Sequence, residues 1–252
     1  MPRDSYEPQA YWTKRLVSHP DLSGTGHRRF SVDYNDAMYQ IATENLQAAL
    51  GAAQVDLKGA QVLDIGPGLG YFVGRYVEWG ARHITGVDIT QVSVQSLQRQ
   101  FPAHDFYQAD IGDETFQVNA QFDYVSAISV VYHIVDELHF QRALANMCQS
   151  VRPGGYLLIS DAFRRAWQLT AAHARWRSLD HYTPILAEHN LAVVAVRPMY
   201  FFMSRTYIPG LGPLVLNLPV VVRLLLRAER RMRHTAPPQS GYLRYMIAHR
   251  AT

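Results

Sequence analysis

Cysteine is all but missing: Cys148 stands alone among 252 residues, so no disulfide can form within the chain. That suits a reducing compartment, and the cytoplasm is the expected location. Charge of one sign is missing too. Lys and Arg number 24 against 21 Asp and Glu, a net of +3, too small an excess to argue for nucleic acid as a partner. There is no long apolar run. The most apolar stretch, residues 207–234, is broken by Pro209, Pro213, Pro219 and Arg223. Its unbroken part falls short of the ~20 residues that a membrane-spanning helix needs. It suits a membrane-surface helix, an oily substrate lid or dimer face, or a core-facing helix with a solvated basic end. The N-terminal stretch MPRDSYEPQAYWTKRL has no apolar centre of the kind a secretion signal carries. No group of His, Cys, Asp or Glu has convincing metal-ligand context, the adjacent Asp136 and Glu137 included, so no metal is expected.

What is present is a hydrophobic fraction of 48%, enough for a sizeable core in a chain of single-domain length. Residues 1–55 read as helical, with apolar residues at helical spacing in AYWTKRLV and DAMYQIATENLQAALGAA. From Gln61 the pattern changes to short apolar runs alternating with helices. QVLDI, HITGVDI, HDFYQADI, FDYVSAIS and YLLISD read as strands, and the Pro153-Gly154-Gly155 segment as a turn. Such alternation builds parallel βαβ units with helices on both faces of one sheet. After Asp161 a mostly helical stretch is expected, then a strand in LAVVAVRPMYFFM and a last strand in GYLRYMIAHRA. The expected organisation is one domain. A helical cap spans 1–55 and a nucleotide-binding core 56–165. The remainder, 166–252, carries a substrate lid at about 204–240.

The informative stretch is VLDIGPGLGYF, residues 62–72. A buried-looking strand ends in Asp64 and runs straight into Gly66, Pro67, Gly68 and Gly70. Glycine permits positive φ and close approach of backbone to a ligand, and the amides opening the next helix can meet a polar or anionic group. The dinucleotide fingerprint GxGxxG requires its third glycine one place later, where Tyr71 stands. Asp88, at the end of the next strand in GVDIT, lies about 20 positions on, where a ribose-binding carboxylate is expected.

The pattern D-x-G-x-G-x-G, with GVDIT, QADI, a fourth strand followed by HIVD, and VRPGG in that order, resembles the class I S-adenosylmethionine-dependent methyltransferases. The likeness covers roughly residues 60–161. It implies a Rossmann-like, mostly parallel seven-stranded sheet with helices on both faces, here with an N-terminal helical cap and an apolar insert before the last strand. S-adenosylmethionine is the implied cofactor, S-adenosylhomocysteine the product, and a small molecule the implied acceptor. By the same resemblance Asp64 faces the cofactor's amino group and Asp88 with Ile89 the ribose. Asp110 and Ile111 meet the adenine, Ser129 lines the transfer site, and Tyr34, with Tyr39 as the alternative, covers the methionine part. His133, just past the fourth strand, is the candidate general base, with a packing role as the alternative reading. His139, His173, His181 and His189 read as surface residues of helices.

The expected reaction is methyl transfer to a hydroxyl oxygen of a natural-product, sugar or lipid-linked intermediate. A nitrogen or carbon acceptor, an inactive cofactor-binding module and a nicotinamide-dependent oxidoreductase are the competing readings. Peripheral membrane contact and a homodimer are compatible with the sequence. An N-P-P-aromatic motif, as in methyltransferases acting on nucleic-acid amino groups, is missing after the fourth strand.

Overall fold

The computed structural model describes residues 6–116, 120–163, 168–203, 215–237 and 240–252. Nine strands are described: β1 Gln61–Ile65, β2 His83–Asp88, β3 Asp105–Gln108, β4 Phe122–Ala127, β5 Val151–Asp161, β6 Gln168–Ala171, β7 Ala174–Trp176, β8 Leu191–Tyr200 and β9 Leu243–Arg250. Seven of them form one sheet in the order β3-β2-β1-β4-β5-β9-β8. Neighbours from β3 to β5 run parallel, and β9 runs antiparallel to both β5 and β8.

The strands are apolar on both faces, as strands covered on both sides must be. Val62, Ile84, Tyr124 and Leu158 face one core. Leu63, Val87, Val125 and Ile159 face the other. Helices α3 (Val32–Ala52), α4 (Tyr71–Glu78) and α5 (Gln91–Gln100) cover the first face, and α6 (Glu137–Ser150) and α7 (Leu179–Glu188) the second. Their starts are written in the sequence. Ser31 caps α3 by accepting from the Tyr34 amide at 3.2 Å, and Asp136 caps α6 by accepting from the His139 amide at 2.8 Å.

Several details differ from the sequence reading. The Pro153–Gly155 segment is not a turn between elements but an irregularity inside β5, where the register against β4 shifts between Phe122 and Tyr124. The third strand closes at Gln108, so Asp110 and Ile111 sit in the loop beyond it. Residues 168–176 form the β6–β7 hairpin, not helix. Helix-favouring residues such as Ala171, Ala172 and Ala174 are overridden there, where Arg175 and Arg177 tie the hairpin side to the Val135 and Ile134 carbonyls.

The N-terminal region divides. Helix α1 (Pro8–Ser18) and the short α2 (Leu22–Thr25) lie over the strand ends, whereas α3 packs into the core through Ile41, Ala42, Leu46 and Ala49. Tyr34 goes with α3: it is 1% exposed and packs on Phe30 with ring centroids 4.4 Å apart.

The last helix, α8 (Pro219–Thr235), lies on α3, where Arg230 and Arg233 pair with Glu44 at 2.7 and 3.1 Å. Its Glu229 is fully buried and accepts the backbone amides of Phe201, Phe202 and Met203. Residues 204–214 of the expected lid lie outside the described residues. Among the described residues no helix is long and apolar enough to cross a membrane.

Candidate active site

Strand β1 sits between β2 and β4, so the chain order reverses across it. The carboxyl ends of β1, β2 and β4 therefore open onto a crevice, the place where doubly wound sheets bind ligands. A cavity of about 880 Å³ lies there.

Its floor is the glycine loop. Gly66 and Gly68 have φ of 66° and 56°. A Cβ on Gly66 would lie 2.5 Å from Cγ2 of Val130, and one on Gly68 would lie 2.7 Å from Cγ2 of Thr25. Both conformation and space exclude a side chain, which keeps the backbone open to the cavity. Pro67 and Ile89 line the same wall.

Two buried carboxylates flank this loop, Asp64 before it and Asp88 at the end of β2. Asp64, 3% exposed, accepts a hydrogen bond from the Ser126 hydroxyl at 2.7 Å. Burial pushes its carboxyl up to about 7, opposed by the Ser126 bond and assisted by the charge of Asp88. Asp88 accepts from the Thr90 amide and hydroxyl through Oδ1, both at 2.8 Å, and from the Gly68 amide through Oδ2 at 3.1 Å. Burial raises its pKa as well, with the Thr90 and Gly68 bonds opposing. Oδ1 is filled by the two Thr90 bonds, whereas Oδ2 keeps capacity for a further donor.

Asp110 stands at the far side, half-buried, with Oδ1 accepting from the Gly112 amide at 2.9 Å and held by Nε2 of His139 at 2.8 Å. His139 is therefore a cavity residue rather than a surface one. The helix that carries it is legible in the sequence; the contact of His139 with Asp110, 29 residues away, is not. Ile111 and Ser129 also line the cavity, and Ser129 carries a φ of 60° with its amide bonded to the Ser160 hydroxyl at 2.7 Å. Strain of this kind collects at functional sites.

His133 follows in the 3₁₀ turn Val131–His133. Its Nδ1 lies 2.7 Å from the carbonyl of His173. A carbonyl only accepts, so Nδ1 carries the hydrogen and Nε2 is left as an acceptor. Burial pushes the imidazolium down to about 3, against the raising effect of the His173 bond. The ring is thus neutral near pH 7. Its neighbours are aromatic: Trp12 edge-on at 4.9 Å, Tyr132 at 4.4 Å and His173 stacked at 5.6 Å and 15°.

The cover over the cavity comes from two segments. Helix α1, which belongs to the expected N-terminal cap, and the β6–β7 hairpin supply it through Tyr11, Trp12, His173 and Trp176; none of residues 215–237 lines it, and residues 204–214 lie outside the described residues. His173 lies in the hairpin turn, not on a helix. Arg15 fixes α1 in place, donating to the carbonyls of Gly24 at 2.5 Å and of Gly26 while lying over the Trp12 ring at 5.0 Å. Tyr34 does not reach the cavity, because its ring fills the core beneath; Tyr39 lines it instead. Among the described residues no group of three or more His, Cys, Asp or Glu is placed to hold a metal.

Comparisons with known proteins bear on this geometry. An O-methyltransferase of Aspergillus nomiae is 29% identical over 130 residues, 49% of this chain and 56% of that protein. A tRNA U34 carboxymethyltransferase of Alteromonas mediterranea is 34% identical over 111 residues, 41% of this chain and 32% of that one. The chain thus spans about half or less of the length of these curated relatives. The crystal structure of a magnesium protoporphyrin IX methyltransferase from Synechocystis PCC 6803, with bound S-adenosylhomocysteine, shares the fold with a TM-score of 0.61 at 16% identity, over 96% of this chain and 98% of that one. Residues 34–196 match the family model described as a methyltransferase domain. With that match over more than half its length and with the sheet order found here, the chain belongs to the methyltransferase-domain family and has the class I fold.

Proposed function

We propose that the chain transfers a methyl group from S-adenosylmethionine to a hydroxyl oxygen of a small molecule. The observation that carries this reading is the pair of buried carboxylates, Asp64 and Asp88, on a glycine loop whose backbone must stay bare. Asp64, raised by burial with only the Ser126 bond opposing, is poorly compensated without a cationic ligand, and Asp88 keeps Oδ2 for a further donor. An amino acid's ammonium beside Asp64 and ribose hydroxyls on Asp88 supply both. Asp110, with His139 behind it, would accept from the adenine amino group, and the Ile111 backbone stands beside it for the ring.

When bound, S-adenosylmethionine supplies a methyl group on a sulfonium, already activated for displacement. The chain's own work is to orient the acceptor, exclude water and take a proton. His133 is the candidate for the last of these, since the His173 carbonyl holds its hydrogen on Nδ1 and leaves Nε2 as an acceptor. With its imidazolium held at about 3 by burial it is a weak base, and it takes the proton only as methyl transfer makes the acceptor oxygen strongly acidic. The enclosure by α1 and the β6–β7 hairpin serves the exclusion of water. An acceptor presented at a lipid surface is supported by α8, which exposes Val220 and Leu224 beside Arg223 and Arg227.

Calorimetric titration with S-adenosylmethionine and S-adenosylhomocysteine tests the reading. Micromolar-range binding is expected for the wild type, lost in Asp88→Ala, with no binding of NAD. His133→Gln should keep the binding and lose transfer to an accepted substrate by roughly 10²–10⁴-fold. Binding of NAD in place of the adenosyl ligands would discard the proposal, and binding without any transfer would favour a cofactor-binding module.

A further inference from the structure

The cavity has two chemically different ends. The cofactor end is built from the strand termini and carries the carboxylates Asp64, Asp88 and Asp110. The other end is a wall of rings drawn from four separate segments. Tyr11 of α1 stacks on His173 at 5.1 Å and 21°, and His173 stacks on His133. His133 touches Tyr132, Tyr132 packs on Trp176 at 4.5 Å, and Trp176 meets Tyr242 at 6.2 Å. All six rings line the cavity.

These rings edge open space mainly with aromatic carbon; Tyr11, His173 and His133 stack on one another, and the hydroxyls, imidazole nitrogens and indole N–H sit at the ring rims. The wall therefore fits a flat unsaturated ligand better than a sugar, whose hydroxyls each need a donor or acceptor. The charge at this end has one sign. Arg15, Arg28 and Arg29 line the cavity there. Asp136, the remaining acidic lining residue, caps α6. Arg15 is committed to the Gly24 and Gly26 carbonyls, whereas Arg28 is exposed at the mouth. It lies close enough to His173 that its charge, after burial and Arg15, helps hold that imidazole neutral.

We infer that the acceptor is a planar aromatic hydroxy acid, its ring lying on the Tyr11–His173–His133–Tyr132–Trp176 wall and its anionic group facing Arg28. The inference rests on the methyltransferase reading for the acceptor's role, but the ring-and-anion site is testable without it.

The test uses matched probes: hydroxybenzoate, hydroxynaphthoate and hydroxyanthracene-carboxylate, the corresponding aromatic alcohols without the carboxylate, and the fully saturated hydroxy acids. Each is titrated calorimetrically into the protein alone and into protein saturated with S-adenosylhomocysteine. At least one aromatic hydroxy acid should bind saturably in both, and its saturated counterpart about tenfold more weakly or worse. Arg28→Gln should weaken the aromatic acid severalfold and leave the aromatic alcohol unchanged. Trp176→Leu should erase the preference for the aromatic over the saturated ring. Where that buried replacement fails to fold, Tyr11→Leu on the half-buried face of α1 gives the same readout. Equal binding of aromatic and saturated acids, no saturable binding of any aromatic acid, or an Arg28→Gln effect shared by the alcohols would each overturn the inference. Failure of S-adenosylhomocysteine itself to bind would sink the methyltransferase reading and leave the probe titration on the protein alone to decide this one.

Discussion

Asp64 illustrates how one residue links pH to ligand affinity. Its carboxyl is raised from 3.8 to about 7, chiefly by burial, with Ser126 opposing and Asp88, Tyr76 and Tyr124 close by. The folded protein therefore holds this proton longer than the unfolded chain does. The stability it contributes is present in full below pH 4 and is lost as the pH rises through 7. A ligand ammonium reverses the preference by favouring the carboxylate. S-adenosylmethionine affinity should consequently rise with pH from about 5 to 7 and flatten above, with uptake of the ligand releasing up to one proton. Titrations in two buffers of different ionisation enthalpy count that proton. In Asp64→Asn the pH dependence should vanish along with much of the affinity, and an unchanged slope would show that another group carries it. His133, neutral throughout this range because burial holds it near 3, adds nothing to the slope.

Among the elements, α8 shows how a helix of basic, exposed character is held to the sheet. Its single buried acid, Glu229, accepts three consecutive backbone amides, from Phe201 at 2.9 Å, Phe202 at 2.7 Å and Met203 at 2.6 Å. Replacing it with Ala leaves buried donors without that acceptor, at a cost of roughly 3 kcal/mol. The melting temperature should fall by roughly 6–12 °C in calorimetry. Glu44→Gln, which loosens the half-exposed pairs to Arg230 and Arg233, should shift it by only about 2 °C or less. A reversal of that order would mean that the surface pairs, not the amide cluster, fix the helix. The cavity's cover belongs at this scale too. The β6–β7 hairpin brings His173 over His133 and Trp176 against Tyr132, so two pieces far apart in sequence make one wall.

Over the whole molecule, a net charge of +3 hides its distribution. Arg223, Arg227 and Arg231 fall on the exposed side of α8 with Val220 and Leu224, while Arg230 and Arg233 turn inward to Glu44. Such a face suits an anionic bilayer surface. The protein should co-sediment with phosphatidylglycerol vesicles at low salt and be released as ionic strength rises. The double replacement Arg227→Glu and Arg231→Glu should abolish the association, and binding that survives it would assign the contact elsewhere.

Local chemistry made much of this protein readable from its sequence. The chain order of the main-sheet strands, the bare glycine loop, and the positions of Asp64 and Asp88 at strand ends, with Asp110 just beyond one, follow from apolar periodicity and from what only glycine or a short polar side chain can do. Those features depend on neighbours a few residues away. What only the tertiary structure decided depends on distant ones. It put Tyr34 in the core and Tyr39 at the cavity. It set His139 behind Asp110, and it brought the β6–β7 hairpin with His173 over His133 to complete the cover that α1 begins. Each of these turns on which side of a helix or loop meets a surface supplied by another part of the chain. Periodicity marks a buried face without naming what buries it, and so the sequence determined the floor of the site while packing alone decided its walls.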